Sequence, residues 1–448
     1  MCYNLHIIVN LIQFNNMKKL LKPDTEKKIC LLLSVLLVFF FITGFERGEN
    51  SAGGGGYSGD ILNIWDNLNL FKKEIYLSIF DPKYDDSRLP LIYILHALFN
   101  PFIDTIDNFR KSVFFISLIL LPLYFLFLRF KFKVSSWELI LFFSLLITLS
   151  PFFRTSAFWA LNENYVFLFI LSSFFLLEKY FLNNNLKFKE EKLILIIIIF
   201  LSSLIVYFDQ KMIIFPLLIY LRFIFSNIKI ETKILITLIY GIFSLPYAYL
   251  IYEWKSILPP NASDARMAGT KINIFNLGYC ATIIAFYLTP FLIVKDNIFR
   301  SLKNKILNKN FFILLFFILL YILILDLNSF NNLPILGKGI VHKSLLIIED
   351  PNYRYLITLT IFVLSISLIY FYIDHFYDWA IILFFLMTSI FIYPFLQEYM
   401  DPLMIFLIIL IFKTKFTLNF FNSIFVFIYL LIFLLSTQYY YRLILFSA

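Results

Sequence analysis

The stretch ICLLLSVLLVFFFITGFERGENSAGGGGYSGDILNIW, residues 29–65, decides the class of this protein. Residues 29–45 carry no charge and, as a helix, cross most of the roughly 30 Å hydrocarbon core of a bilayer. Polarity then rises abruptly through Glu46, Arg47 and Glu49, and a glycine run leads to Asp60. The chain holds 12 glycines, and seven of them (Gly44, Gly48, Gly53, Gly54, Gly55, Gly56 and Gly59) fall between positions 44 and 59. The run could be a slack linker, a phosphate cradle or a hinge. It lacks the GK[ST] and the preceding strand of a P-loop, which removes the cradle. A hinge accounts for more than a linker does, because glycine tolerates φ-positive turns. It would return the chain to the membrane surface with Asp60 at the water boundary.

Composition extends this reading to the whole chain. Of its 448 residues 61% are hydrophobic and 58 are Phe, only 15% are charged, and mean hydropathy is +0.83. A soluble fold would have to cover its surface with Phe and Ile. Backbone groups inside lipid must be satisfied within their own segment, so the apolar runs are helices. The expected fold is all-α and polytopic. A cytoplasmic segment (1–28) precedes a single transmembrane domain (29–448). Thirteen crossings are expected, near 29–45, 109–128, 137–151, 160–178, 193–208, 212–226, 234–252, 276–294, 311–327, 355–373, 379–396, 402–412 and 420–437. The first run has no small-residue cleavage site after it and reads as a retained helix. Met17, in MKKLLKPDTEKK, reads as a more natural start than Met1. Cys2, Cys30 and Cys280 are scattered, with no metal spacing or disulfide framework.

The net charge of +9 follows the membrane and does not indicate nucleic acid. With the N-terminus in the cytoplasm, the short inner loops hold 22 of the 38 Lys and Arg. Excess Lys and Arg mark the cytoplasmic side, so the odd number of crossings puts the C-terminus outside. The loop IDHFYD carries no positive charge and dissents locally. The longest outer loop is 46–108, followed by 253–275 and 328–354, so the working face is the outer one. Within 46–108, Ile61, Ile64, Trp65, Leu68, Phe71 and Ile75 recur at helical spacing, the mark of an interfacial helix. LPLIYILHALFNPF (89–102) is a second one, too short to span.

Charged groups at membrane depth are costly and are functional candidates by default. Asp60 reads equally as a helix N-cap or as a general base. Asp85, Asp86 and Arg88, in DPKYDDSRLP, read as a solvated turn or as a paired-acid site able to take a divalent cation. Arg154 and Glu163 flank the turn in SPFFRTSAFWALNENYVFLF, as a structural ion pair or as walls of a polar pocket. Lys211 beside Asp209 sits at a tight hairpin, solvated or gripping a phosphate. Arg354, in IEDPNYRYL, belongs to the residue type best suited to bidentate phosphate recognition. His96, His342 and His375 are isolated, and no GxSxG or HExxH occurs.

The long first outer loop with an acid, its interfacial helices and the inside N-terminus resemble the GT-C superfamily. These are polytopic membrane glycosyltransferases that use polyprenyl-phosphate-linked sugars. SRLPLIYILHALFNPF (87–102) is similar to the family's PPLYYLL-type stretch. SPFFRTSAFWALNENYVFLFILS (150–172) resembles its third-to-fourth helix junction, where an acid lies. FDPKYDDSRLPLIYIL (80–95) is more faintly similar to the WDPKITTPPGLY stretch of dolichyl-phosphate-glucose alpha-1,2-glucosyltransferases. AGTKINIFNLGYCATIIAFYL (268–288) is similar to their GDK loop. No DxD motif is present, and the first-loop acid is Asp60 alone rather than an Asp-Glu pair.

The resemblance implies inverting transfer to a glycan, lipid or protein acceptor at the outer face. Asp60 is then the base, and Glu163 positions acceptor or sugar. Arg154, Lys211 and Arg354 are candidates for the donor phosphate, with Arg88, Asp85 and Asp86 behind them. No cofactor is indicated, although a divalent metal stays open. Membrane lipids are the other expected partner. Richness in Asn, Lys, Ile and Phe points to an AT-rich bacterial genome, hence a cytoplasmic (inner) membrane. Two rival readings are a polysaccharide polymerase or ligase and a polytopic transporter. The first usually places its arginines in a late loop, and the second favours internal repeats and midplane charges.

Overall fold

The computed structural model describes residues 22–52, 59–182, 188–259, 262, 272–294, 298–333, 337–392, 395–414 and 416–443. Gly53 to Gly56 and the loop carrying Arg266 and Lys271 lie outside them. The described residues are helical, with no strand among them. Helix starts are set by local chemistry. Thr105 caps Ile106–Lys131 by accepting from Asn108 N at 3.2 Å. Ser150 and Asp350 cap the helices that begin at Pro151 and Pro351. Proline is tolerated there because the first-turn N–H groups have no helical partner.

Seven helices are long and apolar enough to cross a membrane: Pro23–Glu46, Ile106–Lys131, Glu163–Leu182, Ile230–Trp254, Phe275–Ile293, Pro351–Tyr372 and Phe420–Tyr441. An eighth span results if Trp137–Leu149 and Pro151–Phe158, bent by 74°, act as one. The chain is therefore a multi-pass membrane protein. The expected count of thirteen is not reached, although every expected segment contains helix. Segments 192–208, 309–324 and 376–389 are shorter apolar helices. Ile214–Ile224 has 11 residues, about 16 Å of rise, half a bilayer core. Segment 402–412 is one α turn, Leu403–Phe406, followed by a π turn, Leu407–Ile411.

Phe275–Ile293 is the central span, packed against Pro351–Tyr372 and Phe376–Ser389. Ile230–Trp254 is peripheral, with Ile234, Leu238, Ile242 and Leu245 exposed as expected for a lipid-facing helix. In the first loop, Gly48 adopts φ +61°, the left-handed turn that follows the first span. Asp60–Lys73 is the expected helix, but its apolar face is covered by protein. Ile61, Ile64, Leu68 and Phe71 are buried, and the helix packs on Leu91–Phe99. Leu91–Phe99 is short, as expected, and Asn100 closes it, its side chain accepting from Phe102 N at 2.9 Å.

Candidate active site at one end of the bundle

Five segments far apart in sequence bring charge to one end of the bundle. Their anchor is Arg88. Its Nη2 donates to Glu163 Oε1 at 2.5 Å, and its Nη1 lies 3.9 Å from Asp86 Oδ1. Asp86 is buried and also accepts from Arg88 N at 3.0 Å and Tyr93 OH at 2.5 Å. Glu163, the first residue of its helix, uses its second oxygen to accept from Ser156 Oγ at 3.2 Å. Gln210 Nε2 donates to Ser87 O at 2.7 Å, tying the 81–90 loop to the 209–212 turn. In that turn Lys211 Nζ lies 3.7 Å from Asp209 Oδ2 and 3.8 Å from the Tyr399 ring centroid. Glu398, beside Tyr399, completes the cluster and feels the charges of Glu163, Lys211, Arg88 and Asp60.

The charge balance defines what the cluster can do. Five carboxyls (Asp60, Asp86, Glu163, Asp209, Glu398) face two cations (Arg88, Lys211). The excess of acid over base favours retained protons on the less well-paired carboxyls. Burial raises Asp60 to about 6, the Glu163 charge adds to the rise, and Arg88 opposes it. Burial and the Glu163 charge likewise push Glu398 up, against Lys211 and Arg88. Lys211 behaves oppositely. Burial would lower it, but Asp209, Tyr399 and Glu398 together outweigh burial and the Arg88 charge and hold it above its ordinary value. A carboxyl near 6 beside a held cation is suited to taking a proton at neutral pH.

The structure sorts the expected site residues. Asp60, Asp86, Arg88, Glu163 and Lys211 come together. Asp60 is not an N-cap, because Gly59 occupies that position and makes no side-chain cap. Asp85 is exposed, and its ordered partner is Asn67, which bonds its backbone N and O. Arg154 is fully buried and points elsewhere. Its Nε and Nη2 donate to the two Glu49 oxygens at 2.7 and 2.6 Å, and its Nη1 donates to Thr148 O. The expected proximity of Arg154 and Glu163 therefore does not form an ion pair. The turn after Phe158 separates their helices, Pro151–Phe158 and Glu163–Leu182, and each side chain takes its own partner. Arg354 sits in the first turn of its helix, and its charge bears on Tyr279 and His342.

Glu398, Asp209 and Tyr399 join the site without having been assigned a role in it. The sequence signal for each was an acid or aromatic at the end of an apolar run. Beside the cluster runs an apolar groove of about 640 Å³ between Leu91–Phe99 and Ile106–Lys131. Its polar floor is a hydrogen-bonded row: Tyr165 OH to His96 Nε2 at 2.8 Å, His96 Nδ1 to Asn100, and Asn100 to Ser112. Tyr165 lies two residues after Glu163 on the same helix. Among the described residues, no group of three or more His, Cys, Asp or Glu is arranged to hold a metal. Comparison with protein-family models, with curated proteins and with solved structures finds none that matches this chain.

Proposed function

We propose that the protein is a GT-C-type membrane glycosyltransferase. It moves a sugar from a polyprenyl-phosphate-linked donor to a lipid-linked glycan or other acceptor at the outer face of a bacterial cytoplasmic membrane. The observation that carries this reading is the convergence of Asp60, Arg88, Glu163 and Lys211 from separate segments on one cluster beside an apolar groove. On this reading the working topology keeps the N-terminus inside and the C-terminus outside.

The chemistry follows from the placement of the groups. Asp60 accepts the proton of an acceptor hydroxyl as its oxygen bonds to the anomeric carbon. The bond from that carbon to the phosphate oxygen breaks, and the electron pair leaves with polyprenyl phosphate. Lys211 and Arg88 oppose the growing negative charge, and fixed charges of this kind are usually the largest contribution to catalysis. Glu163, held by Arg88 and Ser156, is placed to orient hydroxyls. The groove, walled by Ile92, Leu95, Phe99, Phe115 and Ile116, fits an isoprenoid chain.

The test is Asp60→Asn in membranes supplied with radiolabelled polyprenyl-phosphate sugars. Transfer should fall by about 10²–10⁴. Undiminished transfer would remove Asp60 as base, and solute uptake by the reconstituted protein would replace the enzyme with a transporter.

A further inference from the structure

A second cavity, of about 1250 Å³, opens at the other end of the bundle. Glu163 and Leu182 are the two ends of one 20-residue helix, so the acid cluster at Glu163 and the cavity wall at Leu182 lie about 28 Å apart. Ile214–Ile224 likewise follows the turn that carries Lys211 and brings Arg222 to the cavity. Asp60, Arg88, Glu163 and Lys211 are absent from its walls.

Local chemistry fixes the chain at this end. Leu407–Ile411 is a π turn, and Phe412 leaves it in an extended conformation. Carbonyl groups at such an end have no helical partner, and Lys131 Nζ donates to one of them, Leu410 O, at 2.8 Å. Asp378, in the first turn of Phe376–Ser389, accepts from Lys413 N, Thr414 N and Thr414 Oγ1 and so pins the residues that follow.

Four cations line the cavity: Lys131, Lys133, Arg222 and Lys413. Arg222 Nη1 donates to Glu178 Oε1 at 2.5 Å, and Glu178 is the one acid in the lining among the described residues. Among those residues, Lys131, Lys133 and Lys413 have no carboxylate within ion-pair distance. Lys133 Nζ lies 5.4 Å from the Phe130 ring centroid and Lys413 Nζ 5.2 Å from that of Tyr377, so lining rings hold both lysines at the wall. Four cations against Glu178 and the buried Asp378 leave an excess of two positive charges.

Nine phenylalanines share the lining. Of these, Phe225 and Phe376 are 82% and 86% exposed, apolar surface that lipid covers more favourably than water. Lysines at the end of a span are ordinary. Three that line one aromatic-walled cavity suit a ligand that is anionic at one end and apolar over the rest. The cavity has about twice the volume of the groove beside the acids, which gives room for two chains. We propose that it binds an anionic diacyl phospholipid, with the phosphate held by Lys131, Lys133 and Lys413 and the acyl chains laid along the Phe walls. The site depends neither on sugar transfer nor on which way the chain is inserted.

The experiment uses the full chain in dodecyl maltoside micelles, titrated with dioleoylphosphatidylglycerol and separately with dioleoylphosphatidylcholine. Native mass spectrometry counts the lipid bound. The wild type should hold one phosphatidylglycerol about tenfold or more tightly than it holds phosphatidylcholine. Lys133→Gln/Lys413→Gln should abolish that preference, and it strands no acid because neither lysine is in an ion pair. Lys303→Gln/Lys309→Gln, which removes two exposed lysines outside the cavity, should keep it. A wild type that binds the two lipids alike overturns the proposal, and that result needs no variant. Loss of the preference in both variants marks general surface charge and overturns it too. Displacement of the lipid by an equal concentration of inorganic phosphate would assign a free-anion site instead. The same displacement by a ten-carbon prenyl monophosphate would assign a single-chain lipid, and either result rejects the diacyl ligand.

Discussion

Arg154→Met distinguishes a structural guanidinium from a substrate-binding one. Arg154 is 0% exposed and makes two charge-assisted hydrogen bonds to Glu49, with further bonds to Thr148 O at 3.1 Å and Phe40 O at 3.2 Å. The rings of Phe40, Phe41 and Phe158 surround it at 4.6 to 5.5 Å. Methionine fills much of that volume but strands Glu49, whose side chain is 14% exposed, without its cation. Breaking one half of such a pair costs about 3–5 kcal/mol, mostly through the charge left behind. Removing both halves costs far less, so Arg154→Met/Glu49→Leu should recover at least half of the loss. Unfolding in mixed micelles of dodecyl sulfate and dodecyl maltoside reads these differences. Tryptophan fluorescence is a suitable signal, because Trp159 Nε1 donates to Glu49 O at 2.9 Å.

The pH dependence adds a second reading. Burial pushes the Glu49 carboxyl up, but its bonds to Arg154 and the Arg154 charge outweigh burial and hold it below its ordinary 4.5. A carboxyl lowered on folding stabilises the fold above its unfolded value and loses that contribution as pH falls through the folded one. The margin between wild type and Arg154→Met should be full at neutral pH and shrink in acid below the ordinary value. The reasoning is refuted if the variant unfolds within about 1 kcal/mol of wild type while its KM for a donor rises sharply.

Two other expectations follow from the same geometry. Asp60, raised to about 6, is ionised only as pH rises through that value. Transfer should therefore climb to a plateau above pH 6, and Arg88→Met should move the midpoint up by about one unit, because Arg88 is the cation opposing the rise; kcat/KM against pH measures both, and a flat profile rejects them. Asp378 is fully buried and accepts from Lys413 N at 2.9 Å and from Thr414 N and Oγ1 at 3.1 and 3.0 Å. Asp378→Ala leaves these donors unmade and should cost at least about 2 kcal/mol, with Asp378→Asn milder, in the same unfolding assay.

How much of this was legible in the sequence depends on which physical quantity each feature reports. All thirteen apolar segments contain helix, because lipid permits an isolated segment no other structure. Their number does not give the number of crossings, because hydropathy measures affinity for lipid and not length. Ile214–Ile224 and the π-turned 403–411 are apolar because they are covered by protein, not because they reach across. Asp60, Arg88, Glu163 and Lys211 stood out because a charge at the end of an apolar run is costly wherever it points.

Pairings could not be read in the same way. Arg154 and Glu163 are nine residues apart, yet their partners are 105 and 75 residues away, Glu49 and Arg88. Sequence proximity fails there because the two side chains sit on separate helices, Pro151–Phe158 and Glu163–Leu182, joined by a turn. Glu398 and His342 went unassigned for a related reason. A histidine among apolar residues is ordinary, and only the fold shows which groups lie against it. Lys338 alone left a local trace, its place between Gly337 and Gly339. Glycines on both sides of a lysine relax the backbone enough to hold that lysine where an ordinary chain would not put it. That trace predicts an enforced position, and the structure supplies what the position is near: the Tyr279 ring, 5.7 Å from Lys338 Nζ, which His342 meets edge-on.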